Sequence, residues 1–182
     1  MTWKKLSTKK LLDHPRMQVY EDDIELPSGK KTKYIYVKGH PDAAMVIPID
    51  ADGKILVQKE FSYPPNEWLF QFPGGAQDNG ESLKETAIRE LAEEAGVEGT
   101  LHQLGWMYTD NRRKNAKFYV FVATNTVAIK NLVARKDDEE VFEDYWFTPG
   151  EIDDLIKKGD INNYSMLAGW AFFVNSEFYK AS

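Results

Sequence analysis

Short apolar stretches separated by turn residues fill the front of this chain, and a four-residue apolar repeat takes over after Ser82. Residues 1–40 read as extended strands with turns. Segments 17–26 and 33–38 flank Pro27-Ser28-Gly29-Lys30 in a hairpin pattern, with Tyr34, Tyr36 and Val37 favouring strand. Residues 43–49 and 55–61 are apolar runs around the turn Asp50-Ala51-Asp52-Gly53, and together they predict a buried hairpin. Tyr63-Pro64-Pro65-Asn66 is a loop, and residues 68–72 form a strand that delivers a glycine-rich loop, Pro73-Gly74-Gly75 to Gly80. Strands are expected over 101–108 and 118–123, around a basic turn at 110–117, and again over 141–147. Thr148 opens a helix with Pro149 at its first position and Gly159 at its end. A last helix runs from Asn163 to about Tyr179, with Met166, Leu167, Trp170, Phe173 and Val174 turned inward. Strands in front, with helices between and after them, predict an α+β fold of helices packed on a mixed sheet.

The four-residue repeat is Leu83, Ala87, Leu91 and Ala95, with Ile88 and Ala92 beside it, an apolar stripe facing a core. Ser82 and Glu85 have capping-box spacing, and Gly96 suits the left-handed turn that ends a helix. On the resulting helix, over residues 82–95, Glu90, Glu93 and Glu94 fall within an arc of about 100°. Glu94 borders the apolar stripe. Glu90 and Glu94 are like charges four residues apart, which costs an isolated helix roughly 0.2–0.5 kcal/mol. All three stand where the helix dipole disfavours negative charge, and Arg89 is the nearby relief. A Glu-rich helix face is ordinarily solvated surface. Here the glutamates abut the core face, break local rules together and follow a glycine-rich loop, a combination that marks a functional site. Clustered carboxylates become favourable around a hard divalent cation such as Mg²⁺, which takes oxygen ligands while gripping substrate phosphates.

The chain has 182 residues, enough for one domain with a small extension, and its net charge of −6 with no basic block argues against an extended nucleic-acid surface. With no cysteine, disulfides, thiol catalysis and cysteine-ligated metal centres are excluded. No apolar run has the length of a signal peptide or a membrane span, so a cytoplasmic protein with no membrane partner is expected. There is no Gly-x-Ser-x-Gly turn, and His14, His40 and His102 have no ligand spacing.

Gly75, five residues, Glu81, seven residues, then Arg89-Glu90-Leu91-Ala92-Glu93-Glu94-Ala95-Gly96-Val97 resembles the Nudix box without a substitution, over 23 residues of the chain. With the strand-rich N-terminal segment, Phe72-Pro73-Gly74-Gly75 before the box and the acidic Asp137-Asp138-Glu139-Glu140 after it, the order is similar to the ADP-ribose and nucleoside-diphosphate-sugar pyrophosphatase branch of Nudix hydrolases. The resemblance implies an α/β/α sandwich over 41–182, with residues 1–40 as an N-terminal β extension that exchanges strands in a homodimer. It implies Mg²⁺ as cofactor, with Mn²⁺ as a substitute, and hydrolysis of a nucleoside diphosphate sugar to a nucleoside monophosphate and a sugar phosphate. Glu90 and Glu94 would be the principal metal ligands, with Glu93 close behind and the Gly74 carbonyl as a further one. Arg89 would orient a box glutamate. Glu81 would support the same end of the helix, or simply favour the helix dipole.

By the same resemblance, Glu140, and after it Glu139, would activate the attacking water; a solvated acidic turn is the competing reading. The proline common in ADP-ribose enzymes about fifteen residues beyond the box is missing here. Arg112 and Arg113, which could grip a diphosphate or form a solvated hairpin tip, predict a site that takes several such sugars. Tyr36 and Phe61 are among the aromatics that could stack on the base, against a structural role in strand pairing. Two alternatives keep the fold: hydrolysis of dinucleoside polyphosphates or oxidised nucleoside triphosphates, and a non-catalytic nucleotide sensor. The complete glutamate set argues against the sensor.

Overall fold

The computed structural model describes residues 2–15, 17–38, 41–130 and 142–179, with the side chain of Phe142 outside that set. The chain forms two compact units, Met1–Pro41 with Tyr108–Lys117, and Asp42–Met107 with Phe118–Ser182.

The first unit is an antiparallel sheet in the order β1-β2-β3, formed by β1 (Lys4–His14), β2 (Met17–Glu25) and β3 (Lys31–Lys38). The β2–β3 hairpin closes at Gly29, whose φ of +80° favours glycine and whose N–H donates to the Leu26 carbonyl at 2.8 Å. Tyr20 and Tyr36 are directly paired across it, and their rings stack at 5.9 Å. Every residue of β1 is exposed. The basic turn belongs to this unit, and its Arg113 carbonyl accepts the Val37 N–H at 2.7 Å.

The second unit holds two sheets and three helices. Strands β4 (Ala43–Pro48), β7 (Gly74–Ala76), β8 (Val97–Tyr108) and β9 (Lys117–Ala128) form a mixed sheet in the order β7-β4-β9-β8. In it β4 runs parallel to β9 and antiparallel to β7. Strands β5 (Ile55–Ser62), β6 (Glu67–Gln71) and β10 (Phe142–Phe147) form an antiparallel sheet, β10-β5-β6. Strand alternation sorts the apolar residues into two cores. Ala44, Val46, Leu56, Phe121 and Ala123 meet α1 (Leu83–Ala95) through Ala87, Leu91 and Ala95. Met45, Ile47, Ile55, Val57, Val120 and Val122 meet Ile152 of α2 (Pro149–Lys158) and Met166, Trp170 and Phe173 of α3 (Tyr164–Val174). The result is the expected α/β/α sandwich.

The expected β4–β5 hairpin forms only its turn. The Asp50 carboxylate accepts the N–H groups of Asp52 and Lys54 at 2.9 and 2.8 Å, and one bridge joins Ile49 to Ile55. The two strands then enter different sheets, where each gains a neighbour on both sides. A lone two-stranded hairpin could not bury two such apolar strands on both faces. Three further boundaries differ from the sequence pattern. The glycine-rich loop contains the short strand β7, β8 begins at Val97, and α3 ends at Val174 with Asn175 as its cap. Leu167, expected inside, is 36% exposed. A Cβ on Gly169 would lie 2.6 Å from the Met45 sulfur, so α3 approaches the sheet along the face of Met166, Gly169, Trp170 and Phe173, and Leu167 falls outside it.

Candidate active site

Helix α1 carries the glutamates, and its local chemistry fixes where they point. The Ser82 hydroxyl accepts the Glu85 N–H and the Glu85 carboxylate accepts the Ser82 N–H, at 3.3 and 2.7 Å. Gly96, at φ +65°, closes the other end on the carbonyls of Leu91 and Ala92. Between these caps the buried arc comprises Thr86, Ala87, Glu90, Leu91 and Ala95. Ile88, placed beside the stripe by its spacing, is 51% exposed, and Glu90, at 8%, is buried in its stead. The arc is rotated toward the carboxylates, and Glu90 rather than Glu94 is the most enclosed of them.

Room for that burial comes from two glycines. A Cβ on Gly75 would stand 2.3 Å from Glu90 Oε1, and one on Gly74 would stand 2.3 Å from the Ala44 carbonyl of β4. The Gly74 N–H donates to Glu94 Oε2 at 2.8 Å, which aims that carboxylate at the β7 end of the loop. Arg89 is the hub on the other side. Its Nε donates to Glu81 at 2.9 Å, its Nη1 to Glu90 at 2.8 Å and Glu93 at 3.3 Å, and its Nη2 to the Ala76 carbonyl at 3.0 Å. Glu81 also accepts the Thr86 hydroxyl at 2.9 Å and the Asp78 N–H at 3.2 Å.

The electrostatics follow from this sharing. Arg89, with Thr86 and the Asp78 N–H, holds the Glu81 carboxyl down at about 2. The surrounding carboxylates raise Arg89 above its already high ordinary value. Glu90 moves the other way, because burial disfavours its charged form more than its portion of Arg89 favours it. Three carboxylates, those of Glu81, Glu90 and Glu93, thus share one guanidinium, one of them enclosed and under-compensated. Hard oxygen donors in this state fit a divalent cation of the Mg²⁺ type, and the glycine cradle leaves the backbone open at the same place. Among the described residues no three acidic or histidine side chains already converge as a ready ligand set. Arg89 draws Glu90 and Glu93 to itself instead.

The other expected site residues are distributed as follows. Glu139 and Glu140 lie outside the described residues. Phe61, in the second unit, is 41% exposed and packs edge to face on Trp68 at 5.8 Å. Tyr36, Arg112 and Arg113 belong to the first unit. There Tyr36 stacks on Tyr20 and donates to Asp22 at 3.4 Å. Arg113 lies over the Tyr34 ring at 5.5 Å and donates to the Ile35 carbonyl at 3.2 Å. The Tyr34 hydroxyl donates to the Arg112 carbonyl. Two site neighbours, Gln58 and Asp144, escaped the sequence pattern. Gln58, 1% exposed, donates from one nitrogen to the Glu94 carbonyl at 2.9 Å and to Asp144 at 3.0 Å. Its signal was a polar residue directly after the apolar Ile55-Leu56-Val57.

The pattern that defines the NUDIX domain matches residues 39–169, and the chain belongs to the Nudix family. It is a Nudix hydrolase. The sequence is 31% identical over 140 residues to ADP-ribose pyrophosphatase of Bacillus subtilis (strain 168), covering 76% of this chain and 74% of that one. It is 29% identical over 141 residues to the methanol dehydrogenase activator of Bacillus methanolicus, covering 76% and 75%. A crystal structure of an ADP compounds hydrolase, 22% identical, superposes with a TM-score of 0.84 over 94% of this chain and 92% of that one, so the fold is shared. Nudix hydrolases generally use divalent metal ions. Among the described residues, no helix is long and apolar enough to cross a membrane.

Proposed function

We propose that this protein hydrolyses the pyrophosphate linkage of nucleoside diphosphate sugars, ADP-ribose among them, with Mg²⁺ as its metal. The observation that carries the reading is the enclosed Glu90, set against Gly75 and sharing Arg89 with Glu81 and Glu93, beside a Glu94 aligned by the Gly74 N–H. The likeness to ADP-ribose pyrophosphatase supports the substrate class.

In this reading Glu90, Glu94, Glu93 and the Gly74 carbonyl hold the ion. When bound, it polarises phosphoryl oxygens and lowers the pKa of a coordinated water. Arg89 fixes the orientation of Glu90 and Glu93, and Glu81 holds Arg89 in place. Gly74 and Gly75 let backbone and carboxylate approach where a side chain would intrude. Glu140, ahead of Glu139, accepts the proton of the attacking water. Tyr36, Phe61, Arg112 and Arg113 are the proposed substrate contacts. In this reading the enzyme acts in the cytoplasm as a homodimer.

The test is a panel of ADP-ribose, GDP-mannose, UDP-glucose and dinucleotides, with products resolved, in Mg²⁺ and in chelator. Several sugars should be cleaved to a nucleoside monophosphate and a sugar phosphate, in Mg²⁺ alone. Arg112→Ala and Arg113→Ala should weaken all of them in parallel. Glu140→Gln should lower kcat while changing KM little. No turnover of any nucleoside diphosphate sugar in Mg²⁺ overturns the reading.

A further inference from the structure

Gln58 stands in the middle of β5, directly opposite Asp144 of β10 in the strand register. Its side chain lies on the same face as Leu56, which packs against α1. Both groups that its nitrogen meets, the Glu94 carbonyl and the Asp144 carboxylate, are acceptors. The amide nitrogen therefore faces them, since an amide oxygen can donate to neither. The Glu94 carbonyl is one of the last four of α1, which have no partner inside the helix. Gln58 supplies that partner from a fully buried position.

We infer that Gln58 is a positioning residue for the metal-binding end of α1: one buried amide nitrogen ties the backbone of Glu94 to Asp144 and so fixes where the Glu94 carboxylate is presented. The inference rests on the reading of Glu94 as a metal ligand. The chemistry explains the residue type. Only an uncharged amide gives two donors from one atom without adding charge beside carboxylates. Asparagine is a methylene too short to span the same gap, and glutamate offers no donor when ionised. The Glu94 side chain is held at one point by the Gly74 N–H and its backbone at another by Gln58, so the carboxylate is fixed from both ends. Partners that orient metal ligands in this way are typically worth 10–100-fold in metal affinity or activity.

The test is Mn²⁺ titration of the substrate-free protein, followed by electron paramagnetic resonance. It compares wild type with Gln58→Leu, Gln58→Met, Asp144→Ala, Glu94→Gln and Val57→Ala. The first two keep the buried volume and remove both donors, and should weaken the Mn²⁺ Kd about tenfold. Asp144→Ala, at an exposed position that folds regardless, should weaken it in the same direction and by less. Val57→Ala, whose side chain faces the other core, lowers thermal stability as a purely structural change does and should leave the Mn²⁺ Kd unmoved. Wild-type Mn²⁺ affinity in the Gln58 variants, or in Asp144→Ala should they not fold, overturns the inference, provided Glu94→Gln has lost binding. If Glu94→Gln itself binds Mn²⁺ like wild type, the metal reading of Glu94 fails, and the inference fails with it.

Discussion

Helices α1 and α2 are built from the same parts and end in opposite ways. Each starts on a capping box, Ser82 with Glu85 and Thr148 with Glu151. Each stops on a left-handed glycine, Gly96 at φ +65° and Gly159 at φ +83°. The last turn of α2 carries Lys157 and Lys158, as the helix dipole favours, while that of α1 carries no basic residue and two glutamates. The one apolar side chain that α2 buries completely is Ile152, whereas α1 also buries Thr86 and Glu90. Equal caps show that α1 is not a badly specified helix. Its irregularity is confined to the glutamates proposed as metal ligands, where a bound cation would offset the unfavourable charge.

Replacing one of those glutamates should produce the largest effect. Glu94→Gln preserves size and the Gly74 contact while removing charge, and should lower kcat by about 10²–10³ at saturating Mg²⁺. Near-wild-type turnover would remove Glu94 from the site and leave α1 merely unusual. Next comes Arg89→Ala, which strips Glu81, Glu90 and Glu93 of their common partner. Urea unfolding without metal should show a loss of about 2–3 kcal/mol. Part of it should return on adding Mg²⁺, since a second cation can replace the first. A loss that Mg²⁺ does not change would break the link between charge imbalance and metal.

Gly75→Ala tests the cradle itself. The added methyl meets Glu90 Oε1, so kcat should drop about tenfold while the helix stays folded by circular dichroism. An unchanged kcat would mean that Glu90 can move without consequence. In α2 the corresponding experiment is charge reversal. Lys157→Glu with Lys158→Glu imitates the end of α1 and should cost about 0.3–1 kcal/mol per site in thermal unfolding, with turnover unaltered. If α2 tolerates the reversal at no cost, the dipole argument for α1 loses its standard.

The smallest effect is in pH. Backbone and hydroxyl hydrogen bonds at the caps lower Glu85 and Glu151 below their ordinary 4.5. Groups depressed on folding stabilise the protein fully above that value, and the contribution disappears as pH falls through the lower, folded value. Glu85→Gln and Glu151→Gln should therefore each flatten the acid limb of the stability curve to a similar, small extent. A large difference between them would mean that the two caps are not equivalent.

Both helices, their caps and the clustering of Glu90, Glu93 and Glu94 were legible in the amino-acid sequence, because capping and helical periodicity act over three or four residues. So was the mixed α+β character, carried by short apolar runs between turn residues. The tertiary structure decided what depends on distant partners. It sent β4 and β5 into separate sheets after a turn that locally reads as a hairpin, because each strand needed neighbours on both sides. It rotated the buried arc of α1 away from Ile88 and onto Glu90, because the gap at Gly75 lies on that side. It set Gln58 beneath the end of α1, across 36 residues of sequence from Glu94. Local hydrogen bonding and periodicity are properties of a segment; burial, strand partnership and the pairing of remote polar groups are properties of the packed chain, and no segment contains them.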